Sequence, residues 1–526
     1  MAKKTATPKA TGGRLIPPDK GVTVRMYRTG HGDCFLLAFA GSSPNQPVYV
    51  LIDCGYKPGS PKFINPQIET KIADIAKSIR DATGGHIDVA VITHEHQDHV
   101  NGITAANFAG IEIDETWLAW TEDPKDEIAN NLRTVFNDKL LGLLAARNHL
   151  AIGGEPDLAE WIDNFLAFEL GGDEEGFDAP AATALFGATG GAPSESMNKK
   201  SMKLFKDRAK RGVKYIRPHE EILTLPGTED IRVFALGPPR NLDQLKDLMP
   251  QENEQFHGMA LATASAGNYF SAAAKEPAGH GQSPFASRYA LGQDDVFTDP
   301  DPLIRDFFLE NYGQDGMPPR FAPGAGDDDI PCNADWRRIN KEWLYSAGQL
   351  ALDMSNSTNN SSLVLAFEIG AGGKVLLFAA DAQRGNWVSW AKKDWKDGEK
   401  KVTARDLLAR TVLYKVGHHG SHNATLNGLA DSEHPSLGWM AQGDHGREFT
   451  AMITAVRAWA DTQKGWDHPL KAIKNALLKK ASGRVFQTDT DLEKLSMPEG
   501  ASKADWDRFQ ARTSGDRLYF DCTITK

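Results

Sequence analysis

Apolar residues recur along the first hundred positions in short runs that glycine, proline or polar turns interrupt. Residues 21–28 alternate between apolar and polar side chains as a half-buried strand does, and a glycine-rich turn separates them from a second apolar run, so we expect a β-hairpin. A third run, residues 47–52, ends at Asp53. Residues 68–83 carry apolar side chains at helical spacing until two glycines stop them, and another apolar run, 86–92, follows. This order of strand, helix and strand predicts an α/β architecture.

The same pattern returns in the last third of the chain. Two apolar runs, residues 363–369 and 374–380, flank a glycine-rich turn and predict a second hairpin whose last strand leads to Asp381. The run 407–416 leads into a Gly-His-His-Gly-Ser segment at 417–421. Carboxylates and imidazoles therefore stand where strands end, which is where α/β folds build their sites.

Two long stretches between these halves lack the pattern. Residues of about 124–218 and 241–350 are largely rich in Gly, Ala, Pro and acidic residues, and we interpret them as insertions into one domain that spans residues 21–526. The first insertion ends in a basic segment, residues 198–218, which is either a solvated helix face or a surface for a phosphate backbone. Residues 1–20 lack an apolar stretch and are expected to form a disordered tail.

The composition is that of a globular protein: of 526 residues, 40% are hydrophobic and 25% are charged. A net charge of −11 argues against a protein that coats duplex DNA electrostatically, although it is compatible with a local basic groove. Four scattered cysteines exclude a disulfide scaffold and favour a reducing compartment. No apolar run reaches the length of about 18 residues expected of a membrane span. These features predict a cytoplasmic protein that does not enter a membrane.

The densest chemistry lies in residues 93–99, Thr-His-Glu-His-Gln-Asp-His, directly after an apolar, β-branched run. His94, His96, Asp98 and His99 are all side chains of the kinds that bind zinc, manganese or iron. In an extended turn His94 and His96 project to one side and can bind one ion, while Asp98 and His99 turn toward a second position. A solvated, histidine-rich loop is the alternative, but it gives the four ligands no packing role. The spacing therefore predicts a site for two metal ions.

These residues resemble the metallo-β-lactamase superfamily, whose His-x-His-x-Asp-His signature matches residues 94–99. More specifically, the chain is similar to the branch typified by the hydrolase domain of ComEC DNA-uptake proteins. This second resemblance rests on short sequence motifs that occur in the family's order along residues 21–526. They are GHGDCFLL near residue 30, LIDCG at 51–55, NNSSLVL followed by LLFAAD ending at Asp381, KVGHHGS at 415–421, His468-Pro469, and VFQTDTD near residue 488.

The resemblance implies an αββα sandwich with two large insertions and a dinuclear metal site, with zinc as the expected metal and manganese as the alternative. The implied ligands are His94 and His96 for one ion, Asp98, His99 and His418 for the other, and Asp381 as a bridge between both. Asp53 and His468 would orient these ligands from outside. His419 would either replace His418 as a ligand or donate a proton to the leaving group, and Asp98 would also accept the proton of the attacking water.

One part of the family's pattern is missing. Many relatives place a further His at the end of the strand before the bridging aspartate, whereas residues 236–239 read Leu-Gly-Pro-Pro here. The ComEC-like branch also tends to carry proline at this place, so the first ion would lack a ligand, which His219 or His257 could supply. The channel-forming membrane segments of ComEC proteins are absent as well, so the resemblance does not extend to DNA transport.

The expected function is metal-dependent hydrolysis of a phosphodiester in a nucleic acid or nucleotide by a metal-activated water, which is the activity of a nuclease or phosphodiesterase. The side chains expected to bind phosphate are Arg240, Lys210 and Arg211. A second expectation is hydrolysis of a small ester, lactone or phosphomonoester, because one fold serves many chemistries and the acidic surface favours a small substrate. A third is a non-catalytic binding protein that uses the insertions as partner surfaces, against which the intact ligands argue.

Overall fold

The computed structural model of the protein describes residues 13–43, 46–65, 69–152, 156–171, 196–218, 220–251, 254, 300–311, 339–428, 431–463 and 466–526. Within them the chain is an α/β protein with two mixed sheets, one of eight strands and one of seven. The chain divides into two compact units. The first unit holds residues 1–133, 166–261 and 355–526 and contains both sheets; the second holds residues 134–165 and 262–354 and is helical where it is described.

The strands follow the predicted apolar runs. In chain order they are β1 (Gly21–Tyr27), β2 (Phe35–Phe39), β3 (Val48–Ile52), β4 (His86–Ile92), β5 (Glu112–Ala119), β6 (Val213–Ile216), β7 (Leu223–Thr224), β8 (Ile231–Gly237), β9 (Val364–Ile369), β10 (Lys374–Phe378), β11 (Asp394–Asp397), β12 (Lys400–Thr403), β13 (Thr411–Lys415), β14 (Thr450–Ile453), β15 (Val485–Gln487), β16 (Thr513–Gly515) and β17 (Tyr519–Thr525). The first sheet has the order β16-β17-β1-β2-β3-β4-β5-β6 and the second β15-β14-β13-β10-β9-β8-β7, while β11 and β12 form a separate ribbon.

The helices connect and cover these strands. In chain order the α-helices are α1 (Ile72–Thr83), α2 (Gln97–Val100), α3 (Glu127–Ile152), α4 (Pro156–Leu170), α5 (Met197–Arg208), α6 (Leu242–Leu245), α7 (Pro302–Asn311), α8 (Ile339–Asn360), α9 (Arg384–Ser389), α10 (Ala404–Ala409), α11 (Arg457–Ala460), α12 (Lys471–Lys480) and α13 (Lys503–Arg512). Short 3₁₀ turns lie at Ser60–Phe63, Trp120–Glu122, Trp390–Lys392, Gly417–Gly420, Leu437–Trp439, Gly443–Arg447 and Leu492–Lys494. Among the described residues no helix is long and apolar enough to cross a membrane.

Side-chain alternation along the strands divides the core into layers. Phe35 and Phe39 of β2 belong to a buried cluster that also contains Phe367 and Phe378 of the second sheet, with ring centroids 5.4 Å apart for Phe35 and Phe378 and 5.5 Å apart for Phe39 and Phe367. Leu36, between them in sequence, belongs to a different cluster because successive strand residues point to opposite faces. One face of each sheet therefore contributes to a shared apolar core.

Helices supply apolar side chains to the other face of each sheet. Ile75 and Ile79 of α1 and Phe205 of α5 share a cluster with the second face of β2, β3 and β4. Ile473 and Leu477 of α12 share another cluster with the second face of β8, β9 and β10. Both sheets are thus buried on two sides, which explains why their strands read as nearly continuous apolar runs.

Parallel pairing brings several strand ends together. In the first sheet β3 pairs with β4 in parallel, and Ile52 lies opposite Val91. In the second sheet Phe378 of β10 lies opposite Lys415 of β13, also in parallel. The segments that begin with Asp53, Thr93 and Asp381 therefore all leave their sheets at carboxyl ends of strands, which is the edge where the predicted chemistry lies.

Two predicted boundaries differ from the structure. Residues 197–216 were placed in the first insertion, but they form α5 and β6, and β6 pairs in parallel with β5 as part of the first sheet. Phe205 is fully buried against the sheet, so this region belongs to the core. Leu15 was placed in the disordered tail, but it is buried and its N–H donates to the Ala82 carbonyl at the end of α1. Ordered packing therefore starts before residue 21.

Candidate metal centre

The loop that follows β4 carries the predicted histidine signature into the protein interior. His94, His96, Asp98 and His99 are each at most 4% exposed, so the alternative of a solvated, histidine-rich loop is excluded. The backbone of Asp98 and His99 packs directly against Gly55, where a Cβ atom would lie 2.4 Å from the His99 nitrogen. The Leu-Ile-Asp-Cys-Gly segment after β3 therefore needs a glycine at its last position.

Hydrogen bonds determine which ring nitrogens of the first two histidines are free. The Thr93 hydroxyl donates to Asp53 Oδ2 over 2.6 Å, so its oxygen is left to accept the His94 Nδ1–H at 3.1 Å. The His96 Nε2–H donates to Glu169 Oε1 over 2.9 Å, because a carboxylate can only accept. His94 Nε2 and His96 Nδ1 lie 3.1 Å apart, and in the tautomers with protons on His94 Nδ1 and His96 Nε2 both of these nitrogens are free to bind an ion.

The same arrangement is found at two further imidazoles. The His99 Nδ1–H donates to Asp53 Oδ2 over 2.8 Å, and its Nε2 faces Asp381 Oδ2 at 3.3 Å. The His419 Nδ1–H donates to the Thr454 carbonyl over 2.8 Å, and its Nε2 lies 3.0 Å from Asp98 Oδ2 and 3.6 Å from Asp381 Oδ2. The Nε2 atoms of both rings therefore point at carboxylates, and in rings protonated only on Nδ1 they could bind an ion together with those carboxylates.

A buried lysine holds the other side of Asp381. The Lys415 ammonium donates to the Ala380 carbonyl at 2.9 Å and pairs with Asp33 Oδ2 at 2.5 Å and with Asp381 Oδ1 at 3.3 Å. These contacts use all three of its N–H donors. Asp381 is thereby left with Oδ2 directed toward the histidines.

His418 and His419 occupy different environments although they are adjacent in sequence. His418 Nδ1 lies 3.4 Å from the Asn423 side-chain oxygen and its Nε2 accepts from the Asn359 amide at 3.2 Å, so both ring nitrogens are engaged by amides. Its Nε2 is 4.0 Å from Asp381 Oδ2, and its side chain is 17% exposed. The buried His419 instead turns an uncommitted lone pair toward two carboxylates, so the geometry favours His419 over His418 as a ligand.

Backbone strain concentrates at this cluster. Six described residues other than glycine have a positive φ, and four of them are Asp53 (55°), Ala380 (47°), His418 (41°) and His419 (53°). A left-handed conformation at such residues costs about 1–3 kcal/mol each and is found mainly where function requires an exact side-chain position. The strain indicates a functional site at the strand ends.

Two overlapping buried triads could hold metal ions: His94, His99 and Asp381, and Asp33, His99 and His419. Asp33 is the member that sequence reasoning missed, and its two oxygens already accept from Lys415 and from the Thr454 hydroxyl, each at 2.5 Å. Asp98 Oδ1 and His99 Nε2 are buried without a hydrogen-bond partner in the structure. Buried atoms of this kind normally have a partner, so they fit a centre that takes up a cation.

The electrostatic field of the cluster favours positive charge. Burial opposes protonation of His99, but Asp381, Asp33 and Asp53 outweigh it and raise the pKa of His99 well above its usual value. Burial would raise the pKa of Asp98, but Lys57, His419 and His99 lower it well below the usual range. A cation at the inward edge of His99 is therefore stabilised by the surrounding carboxylates.

Glu169 joins the cluster from the first insertion. It is the penultimate residue of α4, it is buried, and it accepts the hydrogen bond of His96. The neighbouring Phe168 ring lies against His96 with centroids 4.3 Å apart. No spacing pattern in the alanine-rich insertion singles out Glu169, so sequence reasoning had no signal for it.

The two residues predicted to orient ligands lie at the cluster. Asp53 accepts hydrogen bonds from both Thr93 and His99. His468 contacts its rim: its Nδ1 is 3.3 Å from His31 Nε2, and its ring centroid is 5.4 Å from that of His418.

The three basic residues predicted to bind phosphate do not reach the cluster. Lys210 pairs with Glu112 at 2.7 Å and Arg211 with Asp114 at 3.0 Å, at the amino end of β5. Seven residues of β4 span about 20 Å and separate that end from the histidines. Arg240 lies nearer the carboxyl end of β5, but its guanidinium is paired with Asp126 at 2.7 Å over the Trp120 ring. A further group of possible ligands, His86, Asp88 and Asp114, is partly exposed and also lies at the amino ends of these strands.

The strand end that lacks the family's histidine is filled by packing. A Cβ at Gly237, the last residue of β8, would lie 1.9 Å from the Asn386 side-chain oxygen. Asn386 is held there by donating to the Asn360 and Ser362 carbonyls. A ligating side chain therefore does not fit at position 237, and the two alternatives, His219 and His257, lie outside the described residues.

Neither a protein-family profile nor a curated protein matches the chain.

Proposed function

We propose that the protein is a dinuclear metal-dependent hydrolase with an αββα sandwich of the metallo-β-lactamase type. The fold proposal is supported by the shared core of the two sheets and by the helical side chains packed on the other face of each. The two mixed sheets and the buried His/Asp cluster are consistent with that family. The site at carboxyl ends of strands from both sheets fits the same architecture.

The observation that carries the proposal is that four buried imidazoles and two buried carboxylates lie in pairs only 3.0–3.3 Å apart. His94 Nε2 faces His96 Nδ1, His99 Nε2 faces Asp381 Oδ2, and His419 Nε2 faces Asp98 Oδ2, at 3.1, 3.3 and 3.0 Å. The other nitrogen of each ring is hydrogen-bonded on the outer side of the cluster: His94 to Thr93, His96 to Glu169, His99 to Asp53 and His419 to Thr454. Outer partners of this kind fix metal-binding tautomers in known metal sites.

The charge of the cluster agrees with two divalent ions. Its buried carboxylates are Asp33, Asp53, Asp98, Glu169 and Asp381, and its buried ammonium groups are Lys57 and Lys415. Five carboxylates against these two ammonium groups and the His99 ring, whose pKa is raised, still leave a negative excess that is costly in a protein interior unless cations compensate it. We propose that His94 and His96 bind one ion, that Asp98, His99 and His419 bind the other, and that Asp381 lies between them.

The chain's own residues divide the remaining work of hydrolysis. Bound divalent ions would supply Lewis acidity toward the scissile group and activate water, with zinc expected and manganese as the alternative. Asp98 keeps Oδ1 without a partner, so this oxygen is available to accept the proton of the attacking water. We assign contact with the leaving group to His418, because its side chain is the more exposed of the two adjacent histidines. Lys415 holds Asp381 in position through Oδ1.

We propose a phosphodiester in a nucleotide or nucleic acid as the substrate. Lys199, at the start of α5, lies 4.0 Å from Glu95 between the first two histidines, so the basic helix begins beside the cluster. Hydrolysis of a small ester, lactone or phosphomonoester is the second proposal, and the net charge of −11 favours a small substrate for either reaction.

Metal analysis combined with a substrate panel tests the function. We expect two ions per chain and turnover of bis(p-nitrophenyl) phosphate or of single-stranded nucleic acid, with both lost in His96→Ala. His445→Ala is the matched control, because His445 precedes β14 at the end of that strand away from the cluster. A wild-type chain that binds no metal would refute the proposal. Metal-loaded protein that cleaves lactones and leaves every phosphodiester intact would move the assignment to the second proposal.

A further inference from the structure

Lys57 is a buried cation with no acid to pair with among the described residues. It follows the Leu-Ile-Asp-Cys-Gly segment after β3, its side chain belongs to a residue only 6% exposed, and no ion pair or hydrogen bond of its ammonium is found in the described part of the chain. Its backbone is fixed, because its N–H donates to the His31 carbonyl over 2.6 Å and its carbonyl accepts from Ser60. The side chain is therefore held in one place by the fold.

Aromatic rings surround the Lys57 ammonium. It lies over the ring of Phe168 and 5.3 Å from the ring centroid of Trp466. Ring faces attract a cation, but they stabilise it less than a carboxylate does. A buried charge without a counter-charge in direct contact is costly. A lysine is therefore expected at this position only if its charge has a function.

The ammonium group lies near the cluster, because the Phe168 ring that it contacts also lies against the His96 ring, with centroids 4.3 Å apart. Asp98, Glu169 and Asp381 each act electrostatically on Lys57, and Lys57 is the largest influence that lowers the pKa of Asp98. Burial lowers the pKa of Lys57 to about 8, while the three acids oppose that effect, so the group is still mostly charged at neutral pH. An anion bound beside the ammonium would oppose the effect of burial in the same way as these acids do.

We propose that Lys57, between Phe168 and Trp466, forms the anion-binding subsite of the hydrolase and binds a phosphoryl oxygen of the substrate beside the metal centre. This inference rests on the proposed function and specifies it. Lys57 takes the role that the sequence assigned to Arg240, Lys210 and Arg211, all of which are paired with acids. A bound phosphoryl group would provide the counter-charge that the ammonium lacks.

Lys57→Met tests the subsite, since methionine keeps most of the length of the side chain and removes its charge. In metal-loaded protein we expect the dissociation constant of inorganic phosphate and the KM of bis(p-nitrophenyl) phosphate to rise about 10- to 100-fold, the range for loss of a hydrogen bond between charged groups. Lys57→Arg should restore most of the affinity. Lys77→Met, which removes an exposed lysine paired with Asp81, is the control and should leave all values unchanged.

The outcomes separate this inference from the proposed function. If Lys57→Met cleaves the diester with the KM and phosphate affinity of the wild type, the subsite is refuted while the hydrolase stands. If the wild type cleaves no phosphodiester but its phosphate affinity still depends on Lys57, the subsite stands and the phosphodiesterase proposal fails. Metal content and thermal melting are measured for each variant, and Lys57→Gln serves as a second variant should the methionine protein not fold.

Discussion

Replacing Glu169 by Gln tests whether a residue of the first insertion controls metal binding by the cluster. Glu169 Oε1 accepts the His96 Nε2–H over 2.9 Å, and both side chains are buried. This bond keeps the proton on Nε2 and leaves Nδ1 as the lone pair that faces His94. The carboxylate also makes the His96 ring a stronger electron donor than a neutral partner would.

The size of the effect follows from this contact. Loss of an outer partner of a metal-bound histidine lowers metal affinity by about 10- to 100-fold, which corresponds to about 1.4–2.8 kcal/mol. Gln keeps the shape and an acceptor oxygen, so we expect Glu169→Gln to lie near the lower limit. Glu169→Ala removes the acceptor and should lie near the upper limit.

Competition with a chromophoric chelator measures the affinity for each ion, and the visible spectrum of the cobalt-substituted protein reports the environment of the His96 ring without any substrate. Glu160→Gln is the matched control, because Glu160 is an exposed residue of the same helix. We expect the control to match the wild type in both measurements. If Glu169→Gln binds the first ion as tightly as Glu160→Gln and gives the same cobalt spectrum, the proposed orienting role of Glu169 is wrong.

Two further predictions concern the ligand set and the core. His419→Ala should bind about one ion per chain instead of two. His418→Ala should keep both ions and lose turnover, because the amides of Asn359 and Asn423 engage the His418 ring. Metal analysis of the two dialysed variants checks this, and the reverse result would restore His418 as the ligand. Phe367→Ala should lower the free energy of unfolding by about 3–5 kcal/mol, since the fully buried ring contacts Phe39 and Phe378 in the shared core. Urea unfolding measures this change. Phe63→Ala is the control, because the Phe63 side chain is 39% exposed and its removal should lower the free energy of unfolding less. Equal losses of stability in the two variants would contradict the assigned core.

The strands and the first four candidate ligands could be predicted from the sequence because both are local patterns. A buried strand shows itself as an apolar run, and β4 begins and ends where that run does. His94, His96, Asp98 and His99 lie within six positions, so covalent geometry alone keeps them near one another. Asp53 and Asp381 could be singled out in the same way, because each follows the end of an apolar run that forms a strand, β3 or β10.

The basic residues show where a local pattern misleads. Lys210 and Arg211 belong to a segment whose positive charge predicts phosphate binding, but the structure pairs them with Glu112 and Asp114 at the far end of the strands. Charge along a sequence says nothing about the acids that folding places opposite it. Lys57 is the reverse case, because a single lysine in a turn carries no sequence signal and only the fold shows that it is buried.

What the sequence determined by itself was the alternation of strands and helices and the histidine signature, since both depend on spacing over a few residues. Tertiary structure alone decided that Glu169 reaches His96 across 73 positions and that Asp98 meets His419 across 321. It also gives His418 and His419 different surroundings, because one ring has amide partners and the other has carboxylates. Contacts of this kind depend on the packing of remote segments, and no spacing rule encodes that packing.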